Sequence, residues 1–147
     1  MNGGDILDLN NTNRTYFIIG KAGSNNNTFF AKSRACDCLN RFALITNQNS
    51  YAFIYQEINE NHIYHPGIEN QVGSFKIEQN RDDLKNRMFR NNEDLGNSFL
   101  SLNYNHNSNY RFLIGAYNDA NDNGEILHLN GDIYEFIILN SVEITNN

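Results

Sequence analysis

Residues 111–140 read RFLIGAYNDANDNGEILHLNGDIYEFIILN and contain three short apolar runs separated by polar segments. The runs cover residues 112–114, 126–129 and 133–139. The last is the strongest strand signal in the chain, because apart from Glu135 its residues are β-branched, aromatic or aliphatic. Both of its alternating faces are largely apolar, which predicts a strand buried between two layers. The preceding Asn130-Gly131 dipeptide predicts a tight turn with positive φ.

Short runs of the same kind recur along the rest of the chain. Further strands are predicted at residues 5–9, 16–19, 28–31, 41–46, 51–56, 74–78 and 98–104. The polar residues 47–50 predict a hairpin, whereas residues 57–71, with the only proline, predict a long connection. About ten short strands with turns between them predict an all-β, antiparallel two-sheet sandwich. The chain has 147 residues, of which 39% are hydrophobic, which is enough to form one hydrophobic core. We therefore expect a single domain over residues 1–147.

Residues 81–90 allow two interpretations. Leu84 and Met88 lie four apart, and Asp82 and Asp83 stand near a possible helix start, which favours a short amphipathic helix. The run of residues 87–90 before two asparagines favours instead a strand that leads into a turn.

Composition narrows the function classes. The net charge of −6 and a pI near 5.1 argue against a nucleic-acid partner, which would need clustered Lys and Arg. No apolar run is long enough to cross a bilayer, so we expect no membrane insertion. The start of the chain lacks the pattern of a signal peptide, which predicts cytoplasmic synthesis and leaves the final location open. Cys36 and Cys38 are too close in sequence to suggest a disulfide scaffold.

Residues 131–140, GDIYEFIILN, resemble the closing strand of concanavalin A-like and laminin-G-like domains, whose loose pattern is Gly-x-Ile-x-Glu followed by apolar residues and Asn. Residues 112–115, FLIG, are similar to the family's strand that enters its variable loop. Residues 87–93 stand where the family has an apolar strand and an Asn-Gly turn, with Asn92 replacing the Gly. The family's usual Trp before Lys76 is missing, and Phe75 is the nearest substitute. The resemblance implies a concanavalin A-like jelly roll and favours the strand over the helix at residues 87–90.

The resemblance also implies a range of functions, because members bind carbohydrate, bind protein or serve as structural modules, and some relatives are glycosidases. A glycosidase needs two carboxylates that face one cleft. Asp132 and Glu135 are three apart, which predicts opposite faces of a strand, and Glu135 matches the family's structural acid. Other catalytic motifs are missing from the sequence, so we expect no enzymatic activity.

The polar loop of residues 119–126, DANDNGEI, resembles the first half of a calcium loop. Asp119, Asn121 and Asn123 alternate before Gly124, which suits oxygen ligands wrapped around calcium with a sharp bend at the glycine. The twelfth position is Asn130 and not the usual bidentate Glu. The alternative is a solvated hairpin loop. Some laminin-G-like relatives bind calcium at loops near their ligand site.

For carbohydrate, the loop and nearby strands supply side chains that stack on sugars and bind hydroxyl groups. The predicted ligand-binding residues are Tyr117, Asn118, Asp119, Asn121 and Asp122, with Tyr104 and Tyr51 as possible stacking platforms. The alternatives are that the Tyr face of residues 51–55 is core and that these Asn-rich loops bind nothing. A zinc site built from Cys36, Cys38, His62 and His65 is a weaker hypothesis, since Cys-x-Cys is tighter than usual ligand spacing.

Two functions therefore remain. The first is a non-catalytic, lectin-like module that recognises carbohydrate through loops at one edge of a β-sandwich, with or without calcium. The second is a structural or adhesion subunit of a larger assembly, such as a virion or fibre surface protein, that binds a protein partner or forms a homo-oligomer. The missing leader pattern fits the second function, since virion proteins are assembled inside cells.

Overall fold

The computed structural model describes residues 13–23, 27–32, 41–47, 50–56, 60–66, 70–99, 112–118 and 124–140. All regular elements within these ranges are β-strands. They are β1 Arg14–Ala22, β2 Asn27–Ala31, β3 Arg41–Asn47, β4 Ser50–Gln56, β5 Glu60–Pro66, β6 Gly73–Asn80, β7 Lys85–Arg90, β8 Glu93–Phe99, β9 Leu113–Ile114, β10 Tyr117–Asn118, β11 Glu125–Ile126 and β12 Gly131–Leu139. Within the same ranges, no helix is long and apolar enough to span a membrane.

The strands form two five-stranded antiparallel sheets and one short ribbon. Sheet 1 has the order β12-β1-β6-β7-β8, and sheet 2 has the order β5-β4-β3-β2-β9. Among the described strands, β10 and β11 pair with each other and with no third strand, and they form the ribbon. The predicted all-β, antiparallel two-sheet sandwich is therefore confirmed, as is the predicted hairpin, since β3 and β4 pair from Asn47↔Ser50 to Arg41↔Gln56.

The main core lies between the two sheets. Alternation along β1 buries Tyr16 and Ile18 and leaves Phe17 and Ile19 half-buried on the other face. The ring of Tyr16 stacks on Phe30 of sheet 2 with 5.5 Å between ring centroids. The fully or almost fully buried apolar residues of the core are Tyr16, Ile18, Ala22, Phe29, Phe30, Leu44, Ile63, Phe75, Ile77 and Met88. Each large side chain buried there contributes about 1.5–3 kcal/mol to folding.

The closing strand β12 is an edge strand of sheet 1 among the described strands, and the prediction that both of its faces are buried between two layers is wrong. Three of its residues, Ile133, Phe136 and Ile138, pack against the core. The outward residues Tyr134, Ile137 and Leu139 are 57%, 39% and 41% exposed. The second apolar face that suggested a buried strand therefore faces outward.

A β-bulge in β12 changes which residues share a face. Glu135 pairs with Ile19, whereas Ile133 pairs with Gly20, so Tyr134 is an extra residue without a partner position in β1. For this reason Ile133 and Phe136, three apart in sequence, both turn towards the core.

The predicted positive-φ turn at Asn130-Gly131 is also wrong. Among the described glycines, positive φ occurs at Gly96, Gly115 and Gly124, and not at Gly131. Gly131 instead begins β12 beside β1, where a Cβ atom would overlap the carbonyl oxygen of Lys21. Because Gly131 has no side chain, β12 can approach β1 closely at this position.

For residues 81–90 the strand interpretation is confirmed and the helix interpretation is wrong. Residues 81–84 form a turn in which Leu84 has a φ of 54°, and β7 follows directly. Asn91 and Asn92 then have φ values of 49° and 69°, while Arg90 pairs with Glu93. This is a two-residue hairpin turn with positive φ at both positions, which confirms the turn predicted at the two asparagines.

Three strands were not predicted. The two-residue strand β10 lies in the polar segment between the apolar runs 112–114 and 126–129. Strand β5 lies inside the expected long connection, where only Ile63 is buried among the described side chains. Strand β8 begins five residues before the strand predicted at 98–104 and overlaps it at residues 98 and 99. The rest of that predicted strand lies outside the described residues. Both β5 and β8 have weak apolar alternation, and β8 contains Gly96 with a φ of 109°. The predicted strand at residues 5–9 also lies outside the described residues.

Candidate functional site

The predicted ligand loop joins the two strands of the ribbon. Tyr117 pairs with Ile126 and Asn118 with Glu125, so the ribbon holds the two ends of residues 119–123 side by side. Those five residues, which include Asp119, Asn121, Asp122 and Asn123, lie outside the described part of the chain. The structure therefore describes the base of the loop and not its tip.

The ribbon packs on the outer face of sheet 2. Tyr117 forms a small apolar cluster with Ala31 and Ala43, and Ile45 and Ile126 lie against it. In the strand register Ala31 pairs with Ala43, so two small side chains lie next to each other beneath the ribbon. The ring of Tyr117 is only 4% exposed, which gives it a packing role that anchors the ribbon.

The other predicted platforms are less fully described. Tyr51 lies in β4, opposite Thr46 of β3 and His65 of β5. Tyr104 lies outside the described residues. The backbone of Asn118 lies in the ribbon, at the entrance to the loop. The stacking and hydrogen-bonding roles assigned to these residues remain predictions.

Backbone hydrogen bonds fasten the base of the ribbon to sheet 2. The amide of Gly115 donates to the carbonyl of Phe29 at 2.9 Å, and the amide of Leu129 donates to the carbonyl of Gly115 at 2.8 Å. Gly115 has a φ of 77°, a conformation that glycine adopts without strain. The chain thus enters and leaves the ribbon at one point of β2.

Asn27, at the start of β2, ties two connections of the sandwich together. Its side chain is 2% exposed, donates to the carbonyl of Gly23 at 3.2 Å and accepts from the amide of Asn130. The amide of Gly23 also donates to the carbonyl of Asn130 at 2.7 Å. This clamp joins the β1–β2 and β11–β12 connections. Sequence reasoning missed it, because one Asn in a chain rich in Asn carries no distinguishing signal.

The structure describes only the end of the proposed calcium loop, at Gly124. Gly124 has a φ of 151°, which side-chain-bearing residues rarely adopt, so the backbone there does need glycine. The proposed ligands Asp119, Asn121 and Asn123 lie outside the described residues. Across the described ranges, no group of three or more His, Cys, Asp or Glu side chains could hold a metal ion. Calcium at this loop stays a prediction.

The zinc hypothesis loses part of its basis. His62 and His65 belong to strand β5 and not to a loop. Positions three apart in a regular strand lie on opposite faces, so the backbone does not bring these two together. Cys36 and Cys38 lie outside the described residues.

The two acids of β12 are arranged differently from the prediction. Asp132 pairs with Lys21 and Glu135 with Ile19, which are two apart on one strand, so the bulge puts both acids on the outer face of sheet 1. Asp132 lies 3.0 Å from the amino group of Lys21. A hydrogen bond from Lys21 and its positive charge hold the pKa of Asp132 below its ordinary value. This favours the ionised form, the opposite of what a general acid needs.

No protein-family model and no curated protein matches the chain. Solved structures do share its fold. The CBM40 module of Ruminococcus gnavus IT-sialidase, bound to α2,3-sialyllactose, matches with a TM-score of 0.71 and 12% identity over 89% of this chain and 77% of that one. The K499G mutant of NanB sialidase from Streptococcus pneumoniae matches with a TM-score of 0.70 and 16% identity over 88% of this chain. The chain spans 22% of that sialidase. At such identities the likeness concerns the fold alone, which is a two-sheet β-sandwich.

Proposed function

We propose that this chain is a non-catalytic carbohydrate-binding module, of the concanavalin A-like and laminin-G-like type. The observation that carries the proposal is the fold, which matches 89% of the chain to a carbohydrate-binding module bound to α2,3-sialyllactose. Fold alone does not determine a ligand, so the site must supply the rest of the argument.

The proposed site is the loop at the tip of the ribbon. Asn118, Asp119, Asn121 and Asp122 would bind sugar hydroxyl groups, and Tyr104 and Tyr51 would serve as stacking platforms. The anchoring of Tyr117 against Ala31 and Ala43 supports this assignment, because it fixes the ribbon strands that hold the two ends of the loop to the sheet. Tyr117 itself acts as the anchor.

Calcium is the proposed cofactor of the same loop, with Asp119, Asn121 and Asn123 as ligands. The positive φ at Gly124 supports this proposal, because a calcium loop needs glycine at its bend. The ion would order the loop and would not take part in any reaction.

A glycan-array screen of the purified chain, run with calcium and again with a chelator, tests this proposal. We expect selective binding that the chelator and Asp119→Asn both abolish. Asp94→Asn is the matched control, because it removes the same charge from β8 of sheet 1 and should leave binding intact. A blank array under both conditions would contradict the carbohydrate proposal.

The alternative, a structural or adhesion subunit, has one observation in its favour. Tyr134, Ile137 and Leu139 expose apolar surface on the edge strand β12, and such surface suits a protein partner or a second copy of the chain. A blank array together with an oligomer in light scattering, lost on Ile137→Lys, would favour this function.

A further inference from the structure

The outer face of sheet 1, on the opposite side of the sandwich from the ribbon, carries a shallow depression of about 130 Å³. It is lined by Phe17, Ser74, Phe75, Lys76, Phe89 and Asn92. Phe17, Lys76 and Phe89 lie in one register row across β1, β6 and β7. Both phenylalanine rings are half-buried, so each keeps an open part on this face. Drug-sized ligands need roughly 300–1,000 Å³, so this volume suits a single small ring.

The charge in the depression is balanced locally. The amino group of Lys76 lies 3.0 Å from a carboxylate oxygen of Glu78 and 4.3 Å from the centre of the Phe89 ring. Both interactions compensate the ammonium charge. The depression therefore offers hydrogen-bond donors without a strong preference for an anion, and it favours a neutral polar ligand.

The rim is held by the turn that joins β7 and β8. The amide of Ser74 donates to the side-chain oxygen of Asn91 at 2.9 Å, and the amide of Asn91 donates to the carbonyl of Ser74 at 2.9 Å. These bonds fix the turn to the start of β6. The hydroxyl of Ser74 also donates to the side-chain oxygen of Asn91 at 3.4 Å. The Ser74 hydroxyl and the backbone of the turn that carries Asn92 are therefore positioned before any ligand arrives, which lowers the entropy cost of binding.

Asn92 itself is an unusual choice for its position. Asn92 is the second residue of the two-residue turn and has a φ of 69°. Glycine adopts this conformation with less strain than asparagine. The chain nevertheless has a side-chain amide there, and that residue lines the depression. Local strain that leaves a polar group at the edge of a concave surface points to a binding role.

From these features we infer a second ligand site, for one ring of a neutral saccharide. The open parts of Phe17 and Phe89 contact the apolar face of the sugar. The hydroxyl of Ser74, the amide of Asn92 and the amino group of Lys76 bind its hydroxyl groups. The site goes beyond the proposed loop site, lies on the other sheet, and does not depend on it.

Titration of the ¹⁵N-labelled chain with lactose, followed by two-dimensional NMR, tests the inference. At millimolar lactose we expect the amide signals of Ser74, Lys76, Phe89 and Asn92 to shift together. Changes confined to the ribbon residues Tyr117 and Ile126 would support the loop site alone and overturn this inference. The lack of any shift would overturn it as well.

Two variants separate binding from folding. Asn92→Gly relieves the strained turn, so it should keep or raise the melting temperature while it weakens lactose binding roughly 2- to 12-fold, the loss of one hydrogen bond. Phe89→Ala should weaken binding further, and Tyr134→Ala, which removes an exposed ring on β12 outside the depression, is its control. Unchanged affinity in Asn92→Gly and Phe89→Ala would refute the site.

Discussion

At the scale of single residues, the side chain of Asn27 has the most consequences for the candidate site. It is 2% exposed and bonds both to the carbonyl of Gly23 and to the amide of Asn130. Its own backbone amide donates to the hydroxyl of Thr46 at 3.1 Å. A buried side chain with such bonds orders connections that are far apart in sequence, including the one that follows the ribbon.

Asn27→Ala should lower the free energy of unfolding by about 1–3 kcal/mol, because it leaves buried backbone groups without partners. Urea denaturation measures the change. The control, Asn97→Ala on an exposed position of β8, should stay within about 0.5 kcal/mol of the unchanged chain. Equal stability of the two variants would show that the clamp contributes nothing.

The Lys21–Asp132 ion pair predicts a pH dependence. Lys21 holds the pKa of Asp132 below its ordinary 3.8, and Asp132 holds the pKa of Lys21 above its ordinary 10.5. The carboxylate's contribution to stability is therefore present above pH 3.8 and lost as the pH falls through the lowered pKa. The amine's contribution is present below pH 10.5 and lost as the pH rises through the raised pKa.

Carboxyl ¹³C NMR titration checks this pair. In Lys21→Met, the pKa of Asp132 should rise towards its ordinary value, and added salt should produce part of the same rise because both side chains are partly exposed to solvent. An Asp132 pKa that responds to neither change would contradict the assignment.

At the scale of elements, strand β12 shows how one bulge alters a face. Without the bulge at Tyr134, strict alternation would put Asp132 and Glu135, three apart in sequence, on opposite faces. With it, both acids lie outward, while Ile133 and Phe136 pack inward. The close approach of β12 to β1 depends on Gly131, because an added Cβ atom there would overlap the carbonyl oxygen of Lys21 and the Cα atom of Ala22.

Gly131→Ala should separate the ends of β12 and β1 and cost about 1–3 kcal/mol of stability, as overpacking does. Urea denaturation measures the loss, and amide hydrogen exchange should show weaker protection of Lys21 and Ala22. In the control, Gly73→Ala, the nearest atom to the new methyl group would be the side-chain Nε of Arg90 at 3.1 Å, which can move. A larger loss in Gly73→Ala would contradict this explanation.

At the scale of the whole molecule, one core joins the two sheets. The ring of Phe30 in sheet 2 lies 5.5 Å from Tyr16 and 5.6 Å from Phe136, both in sheet 1. Phe29 and Phe75 make a further contact across the sandwich at 5.5 Å. Neither sheet has a separate apolar core of this size among the described residues.

Thermal unfolding should therefore be a single cooperative transition of residues 1–147, with equal calorimetric and van't Hoff enthalpies. Differential scanning calorimetry is the measurement. Two resolved transitions, or a van't Hoff enthalpy well below the calorimetric one, would contradict the prediction of one domain.

Much of this molecule could be predicted from local patterns. The runs at residues 16–19, 28–31 and 133–139 form strands, and the two asparagines after β7 form a hairpin turn. Strand β5 could not be found in this way, because the polar residues around Ile63 show no clear alternation and its pairing with β4 organises the segment. The packing of Tyr117 could not be predicted either, because the two alanines that it contacts lie far from it in sequence.

The sequence by itself determined most of the strands, the antiparallel β-sandwich and the hairpin turns after β3 and β7, because these follow from the period of apolar residues and from the backbone freedom of Asn and Gly. Only the tertiary structure decided that β12 lies at an edge of sheet 1 among the described strands, that a bulge turns both of its acids outward, and that Asn27 clamps two connections. Those features depend on contacts between segments distant in sequence, and such contacts cannot be predicted from a local pattern of residues.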